Sequence, residues 1–197
     1  MKKIGITGNI GGGKSEVTSY LKSKGYKVLD ADKIVAEIYF DNNFINEMKT
    51  VFKQYDISEG ENLDKKKIGK IVFENQLNLD ILNSTIAPYI NKKLNDEINY
   101  YAQTEKLIFL DIPLLFEKNM QTNLDAVILV YCEDKIRFER ASLRDLKKID
   151  EIEKIDSFQM NQNEKRKLAD YIVDNSDSKE NLYVQIEEVL KKIIDQR

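Results

Sequence analysis

Histidine is absent from this chain of 197 residues, and cysteine and proline are scarce. Without histidine, a catalytic base must be a carboxylate, a lysine or a tyrosine, and a histidine-ligated metal is excluded. The single cysteine, Cys132, cannot form a disulfide within the chain, and we interpret it as a buried, inert thiol. No apolar run approaches the roughly 18 residues of a transmembrane helix, so no membrane span is predicted.

Neither sign of charge dominates, since 31 basic residues face 34 acidic ones and the net charge is −3. A nucleic-acid-binding protein normally carries a strongly basic surface, so we expect no nucleic-acid partner. The chain begins Met-Lys-Lys and enters a strand-like run at once, which does not fit a signal peptide. We therefore expect a cytoplasmic protein, and we expect it to be a monomer or a weak homo-oligomer.

Glycine is also infrequent, but five of the eight glycines lie within the first 13 residues. Residues 8–15 read Gly-Asn-Ile-Gly-Gly-Gly-Lys-Ser and fit G-x-x-x-x-G-K-[ST] in full, between a strand-like run and a helical pattern. Such a loop wraps backbone N–H groups around the phosphates of a nucleotide, and its lysine reaches the β- and γ-phosphates. The predicted ATP-binding residues of this segment are Gly8, Gly11, Gly12, Gly13, Lys14, Ser15 and, through its backbone amide, Glu16.

Short apolar runs alternate with helical patterns along the chain. The strand-like runs are rich in Ile, Leu and Val, as strands covered on both faces should be, and they are 3–7, 26–30, 106–112, 126–131 and 171–174. The clearest helical patterns are 16–24, 133–143 and 178–194. This alternation predicts an α/β fold with a parallel sheet and right-handed crossovers.

One stretch of about 75 residues, between the second and third strand-like runs, breaks the alternation. It contains no convincing strand, and its apolar residues recur at helical spacing, with Pro88 expected to interrupt one helix and restart another. We interpret residues 40–104 as a helical insert in one chain, whose core is formed by 1–39, 105–144 and 168–197. The charged helical residues 145–167 form a second excursion, here called the lid.

Acidic residues follow two of the strand-like runs. Ligands of an open parallel sheet bind beyond the carboxyl ends of its strands, which favours Asp30 and Asp32 as residues near the γ-phosphate. We interpret Asp32 as the catalytic base, and its alternative role is that of a helix N-cap. For Asp30, a role in a metal site and a structural role are equally favoured. Asp111 follows four apolar residues, a Walker B pattern, and is predicted to organise Mg²⁺ with the Ser15 hydroxyl. The alternative is that Asp30 and Asp32 hold the ion through water.

The segment 112–117, Ile-Pro-Leu-Leu-Phe-Glu, is more distinctive than the aspartate before it. Pro113 ends the strand because it has no N–H to donate. The three apolar residues after it are too hydrophobic for a solvent loop. They either pack against the insert or line an acceptor pocket, and both interpretations stay open.

Arginine is rare and clustered, since only five of the 31 basic residues are Arg. Four of them lie in one 30-residue window: Arg137, Arg140, Arg144 and Arg166. The first three share a helix face, and because arginine grips phosphate bidentately we predict that Arg140 acts in catalysis and that Arg140 and Arg144 contact ATP. The alternative is a solvated face paired with nearby acids, namely Glu133, Glu139 and Asp145.

Taken together, these motifs resemble the dephospho-coenzyme A kinase family of P-loop kinases. The matching segments follow the family's order and cover most of the chain: 6–15, 28–32, 82–90, 108–117, 126–145 and 169–175. The resemblance implies a three-layer P-loop kinase fold with a five-stranded parallel sheet flanked by helices, a coenzyme-A-binding insert and a mobile lid. It also implies Mg²⁺-dependent transfer of the ATP γ-phosphoryl group to the ribose 3′-hydroxyl of dephospho-coenzyme A, the last step of coenzyme A biosynthesis. The family's proposed base matches Asp32, and its lid arginine matches Arg140.

Two positions depart from the family's usual pattern. Glu16 stands where a threonine is usual, so we expect its carboxylate to point away from the phosphates that it would repel. Ala87 stands where the family has a histidine before Pro88, which puts acceptor affinity in question but not the reaction type.

Two other functions remain open on the sequence alone. The first is another P-loop small-molecule kinase, with a nucleoside, nucleotide or shikimate-like acceptor. The second is an NTP-hydrolysing switch or binding module. Guanine-specific switches usually carry Asn-Lys-x-Asp after a late strand, and the chain has no such motif. For a kinase, Lys14 and Arg140 are predicted to neutralise charge on the migrating phosphoryl group.

Overall fold

A computed structural model describes residues 1–195, and the chain divides into two compact units. The first unit comprises Met1–Leu29 and the chain from Thr104 onward, and the second comprises Asp30–Gln103. The second unit therefore interrupts the sequence of the first after its second strand. Strands and helices are numbered below in chain order.

The first unit is built on a five-stranded parallel sheet. Its strands are β1 (Lys2–Thr7), β2 (Lys27–Asp30), β5 (Leu107–Asp111), β6 (Ala126–Tyr131) and β7 (Tyr171–Asp174). They lie in the order β2-β5-β1-β6-β7, so β1 is central and runs parallel to both β5 and β6. This order brings the carboxyl ends of β1 and β5 side by side, which is where the glycine-rich loop begins.

Helices cover this sheet and bury an apolar core. They are α1 (Lys14–Ser23), α6 (Asp134–Asp145), α7 (Ile149–Asp156), α8 (Gln162–Leu168) and α9 (Lys179–Asp195), with a short 3-10 helix at Met120–Asn123. Helix α9 presents apolar side chains every three or four residues, and these join the strand residues and α1 in one cluster. The fully or nearly fully buried side chains of this cluster include Ile4, Ile6, Leu21, Phe109, Ile128, Leu182 and Ile186.

The second unit is mainly helical. It contains α2 (Ala31–Ile38), α3 (Asn42–Val51), the antiparallel pair β3 (Ser58–Glu59) and β4 (Asn62–Leu63), α4 (Lys65–Glu74) and α5 (Gln76–Tyr101). Each helix begins after a polar residue whose side chain accepts a hydrogen bond from the first turn, namely Asp30, Asp41, Asp64 and Asn75. Helix α5 packs against α2, α3 and α4 and so holds the unit together.

The predicted α/β fold with its five-stranded parallel sheet is confirmed, but two details of the insert were wrong. The structure contains the β3–β4 hairpin, whose two-residue strands are too short to show an alternating pattern. Pro88 lies inside one continuous helix of 26 residues instead of restarting a second one. A proline within a helix removes one backbone hydrogen bond, and the packing of α5 against three other helices compensates for that loss.

The boundaries of the insert and the lid also differ in detail from the prediction. The second unit begins at Asp30, about ten residues before the predicted boundary, because α2 packs against α5. In the lid, α7 and α8 flank a short connection, and Ile152 and Lys165 are fully buried. None of the helices in residues 1–195 combines the length and the apolar character that a bilayer crossing requires.

Candidate active site

The glycine-rich loop connects the end of β1 to the start of α1. Gly11 and Gly13 adopt left-handed backbone conformations, with φ of +74° and +88°. A Cβ atom at Gly11 would lie 1.9 Å from the carbonyl oxygen of Arg137, and one at Gly13 would lie 1.9 Å from Nδ2 of Asn175. Glycine is therefore required at both positions, by backbone conformation and by the close approach of neighbouring chain.

Lys14 and Asp111 come together beside this loop. Lys14 opens α1 and Asp111 ends β5, the strand next to β1. The Lys14 Nζ donates a hydrogen bond to Asp111 Oδ1, and the two side chains are only 18% and 10% exposed. The structure thus places the predicted Walker B carboxylate at the predicted phosphate-binding lysine.

The oxygen donors of Ser15, in α1, and Asp111, at the end of β5, fit Mg²⁺ in their chemistry. Ser15 follows Lys14 and is exposed, while Asp111 contacts Lys14 itself, so a hydroxyl and a carboxylate belong to the same small region. Within residues 1–195, no group of three or more His, Cys, Asp or Glu side chains could hold a metal alone. Mg²⁺ binds oxygen donors and usually keeps waters and substrate phosphates as further ligands, so two protein oxygens are a sufficient contribution.

Arg140 is linked to the glycine-rich loop through Asn175. Its Nη1 donates to the Asn175 carbonyl at 2.7 Å, and Asn175 Nδ2 donates in turn to the Gly12 carbonyl at 3.0 Å. The same Nη1 lies 3.5 Å from Sγ of Cys132, which is fully buried. Burial raises the pKa of the Cys132 thiol by more than the Arg140 charge lowers it, which agrees with an inert thiol. Asn175 was not among the predicted site residues, although it ends a segment that carries the resemblance.

The other arginines of the cluster do not share one environment. Arg137 is buried and paired, as described further below, whereas Arg144 is exposed and forms an ion pair with its neighbour Asp145. That pair lowers the pKa of Asp145 and raises the pKa of Arg144. The guanidinium carbon of Arg166 lies 5.2 Å from the centre of the Tyr131 ring. For Arg144 the structure shows the pairing with an acid that was the alternative interpretation, and its contact with ATP stays a prediction.

Glu16 is directed toward α9. Its carboxylate accepts hydrogen bonds from the Tyr183 hydroxyl and, at 2.9 Å, from the Lys179 Nζ. These two bonds lower the pKa of Glu16, so the carboxylate is charged at neutral pH. The Glu16 amide donates to the Gly13 carbonyl at 2.9 Å, within the first turn of α1. Its contact with a phosphate therefore stays a prediction.

Asp30 and Asp32 mark the start of the second unit. The Asp30 side chain accepts from the Lys33 amide at 3.1 Å and is the N-cap of α2. The alternative role of Asp32 as the N-cap is therefore wrong, because Asp32 already lies within the first turn and is exposed. Its role as the catalytic base stays a prediction.

The segment after Asp111 leads into a buried ion pair that the sequence did not reveal. Leu115 is fully buried, and a Cβ on Gly5 would lie 2.6 Å from its side chain. Both interpretations of the apolar residues in this segment stay predictions. Glu117 Oε1 lies 2.8 Å from the Lys165 Nζ, and Lys165 is fully buried. The carbonyl of Pro113 accepts from the Thr7 hydroxyl at 3.0 Å, which ties this segment to the end of β1.

A parallel sheet, a glycine-rich loop that runs into a helix, and a lysine and an aspartate in contact beside that loop define a P-loop nucleotide-binding protein. Comparison with known proteins refines this class. The family model described as "Dephospho-CoA kinase" matches residues 2–181, and the chain therefore belongs to the dephospho-CoA kinase family.

Individual relatives agree with the family match. A "Dephospho-CoA kinase" of Fusobacterium nucleatum is 34% identical over 195 residues, which cover 96% of this chain and 97% of that protein. A solved structure from Thermus thermophilus superimposes with a TM-score of 0.87 at 34% identity, covering 98% of this chain and 97% of the other. A solved "Dephospho-CoA kinase from Campylobacter jejuni" gives a TM-score of 0.76 at 28% identity, with 98% of each chain covered.

The family resemblance inferred from the sequence is thus confirmed, and with it the prediction of a kinase, which is a phosphotransferase with an alcohol acceptor. A kinase uses ATP as its phosphoryl donor, and this family serves coenzyme A biosynthesis. The hydrolytic switch and the kinases for other acceptors are not favoured.

Proposed function

We propose that this protein transfers the γ-phosphoryl group of ATP to the ribose 3′-hydroxyl of dephospho-coenzyme A, with Mg²⁺ as cofactor. The observation that carries this proposal is the contact of Lys14 with Asp111 beside the glycine-rich loop, in a chain of the dephospho-CoA kinase family. The loop supplies backbone N–H groups for the phosphates of ATP, and α1 directs its positive end toward them.

In the proposed reaction a bond forms between the 3′-oxygen and the γ-phosphorus while the bond from that phosphorus to the ADP oxygen breaks. Asp32 takes the proton of the hydroxyl. Lys14 leaves Asp111 for the phosphates and, with Arg140, stabilises the charge that develops on the transferred group. Ser15 and Asp111 would hold Mg²⁺, which when bound neutralises charge on the phosphates.

The roles of Arg144 and of the Glu16 amide in ATP binding belong to the same proposal, as does the binding of the acceptor by the insert. The expected monomer or weak homo-oligomer can be checked by size-exclusion chromatography with light scattering. The absence of a nucleic-acid partner and the cytoplasmic location also stay predictions.

A panel of acceptors tests the proposed substrate. ADP release is measured with ATP, Mg²⁺ and, in separate reactions, dephospho-coenzyme A, adenosine, a nucleoside monophosphate or shikimate. We expect release with dephospho-coenzyme A alone, with a product heavier by one phosphate group. Release with another acceptor and not with dephospho-coenzyme A, or release independent of any acceptor, would refute the proposal.

Replacing Asp32 by Asn tests the proposed base. Because a general base typically contributes about 10²–10⁴-fold, kcat should fall at least about 100-fold while ATP affinity changes by less than about threefold. Asp80→Asn, which alters an exposed aspartate of α5 in the same unit, is the matched control and should keep the parent kcat. Normal turnover in the Asp32 variant would remove that residue from the mechanism.

A further inference from the structure

Polar groups of the lid bind the first half of the glycine-rich loop. Asn9 Nδ2 donates to Asp156 Oδ1 at 2.9 Å and to the Met160 carbonyl at 3.1 Å. The Ile10 amide donates to Gln159 Oε1 at 2.8 Å. Three residues at the end of α7 and just after it thus engage the two loop residues that precede Gly11.

Arg137 joins these contacts from α6. Its Nη1 and Nη2 donate to the two carboxylate oxygens of Asp156, each at 2.7 Å, and its Nε donates to Asp134 at 2.8 Å. Nη1 also lies 3.3 Å from the Ile10 carbonyl. The guanidinium is almost completely buried, with 3% of the side chain exposed. Because each N–H group of this buried guanidinium is directed at a fixed partner, its orientation is fixed, and it fixes the positions of Asp156 and the Ile10 carbonyl in turn.

The loop needs such external support. Two of its glycines have left-handed backbone, and glycine loses more conformational freedom on ordering than any other residue. A loop that is ordered before its ligand arrives avoids that entropic cost at binding, and the ligand binds more tightly. These contacts hold the Asn9 side chain and the backbone of Ile10, the two residues directly before Gly11.

We propose that Arg137, Asp156 and Gln159 are positioning residues that hold the glycine-rich loop ready for the nucleotide, acting through Asn9 and Ile10. This inference rests on the proposed function in that the loop binds a nucleotide. It assigns Arg137 a role different from that of the arginines proposed to bind phosphate, because its guanidinium binds Asp156 and Asp134 within the protein. The end of α7 then forms part of the support of the glycine-rich loop.

The test measures ADP affinity of the folded full-length protein by isothermal titration calorimetry. Asp156→Asn and Arg137→Gln should each weaken ADP binding about tenfold while KM for dephospho-coenzyme A stays unchanged. Arg137→Lys should restore part of the loss, because it keeps the charge without the bidentate geometry. The double variant should bind ADP no more weakly than the worse single variant, since both changes remove the same link.

Matched controls separate this effect from a general change of charge. Glu153→Gln removes an exposed carboxylate from α7, and Lys135→Gln removes an exposed cation from α6; neither should change ADP affinity. If the Asp156 and Arg137 variants melt at lower temperature but bind ADP like the parent, their role is structural only and the inference is overturned.

A milder variant keeps the test decisive if the buried ion pair proves necessary for folding. Gln159→Met removes the acceptor of the Ile10 amide from a half-buried, uncharged position, and should weaken ADP binding about threefold. Unchanged ADP affinity in this variant overturns the inference as well. Because ADP binding is measured without acceptor, failure of the proposed acceptor chemistry would show separately, as a parent protein that binds ADP but does not phosphorylate dephospho-coenzyme A.

Discussion

Lys14 donates a hydrogen bond to Asp111, and the same two residues are proposed to serve the phosphates and Mg²⁺. Both side chains must therefore exchange partners when the nucleotide arrives. A carboxylate in contact with the lysine competes with the phosphates for it and also repels them. When Mg²⁺ is present, the Asp111 carboxylate can instead bind the metal ion, which favours nucleotide binding.

Asp111→Asn should consequently change ADP affinity in opposite directions with and without Mg²⁺. In EDTA the variant should bind ADP about tenfold more tightly, because Lys14 is released from a charge-assisted hydrogen bond. With Mg²⁺ it should bind ADP less tightly than the parent, because a carboxylate oxygen is lost from the proposed site. Calorimetric titration of ADP in both buffers measures the two effects.

The exposed aspartate of α7 provides the control, since Asp150→Asn removes the same charge away from Lys14 and should alter neither affinity. Weaker ADP binding by the Asp111 variant in EDTA would show that Asp111 does not compete for the lysine.

At the scale of elements, helices α1 and α9 are joined at the surface by Glu16, which α9 binds through Lys179 and Tyr183. The hydrogen bonds from Tyr183 and Lys179 lower the pKa of Glu16 below its ordinary value of 4.5. A carboxyl group whose pKa is depressed by folding stabilises the native state above its unfolded pKa, and this contribution is lost as the pH falls through the folded value.

Glu16→Gln should thus lower Tm at pH 7 by at most about 3 °C, since exposed ion pairs contribute little. The difference from the parent should shrink as the pH falls below 4.5. Thermal melts by circular dichroism across this pH range measure the difference, with Glu188→Gln, which alters an exposed acid of α9, as the control. A difference that is the same at pH 7 and well below pH 4.5 would show that the carboxylate charge is not its cause.

The strands of the first unit could be predicted from the sequence because each of them contains a short apolar run. The bounds of β6 and β7 coincide with those runs. Helix α5 was not accessible as one element, because the local rule for proline predicts an interruption at Pro88 and packing against three helices overrides it.

In the candidate site, too, local motifs could be predicted from the sequence and contacts made by tertiary packing could not. The glycine-rich loop and its lysine are a local motif and could be found by spacing, and so could Asp111 at a strand end. The partners of Arg137 could not, because helical spacing shows which residues share a face but not what lies opposite. Asp156 reaches Arg137 only through the packing of α7 against α6.

At the scale of the whole molecule, the family match spans both compact units, since it covers residues 2–181. The nucleotide-binding loop and the only cysteine belong to the first unit. Cys132 is fully buried there and close to Arg140, so its reactivity reports the opening of the unit that should bind ATP.

Native protein should therefore react slowly with a thiol reagent such as Ellman's reagent, and ADP should slow the reaction further. A ligand at 100 times its Kd stabilises the native state by about 2.7 kcal/mol, which lowers the population of the opened state, and hence the labelling rate, by about 100-fold. Protein unfolded in urea should yield one reactive thiol per chain with or without ADP, which provides the control. Rapid labelling that ADP leaves unchanged would show that Cys132 becomes accessible by a local opening that does not involve the nucleotide-binding loop.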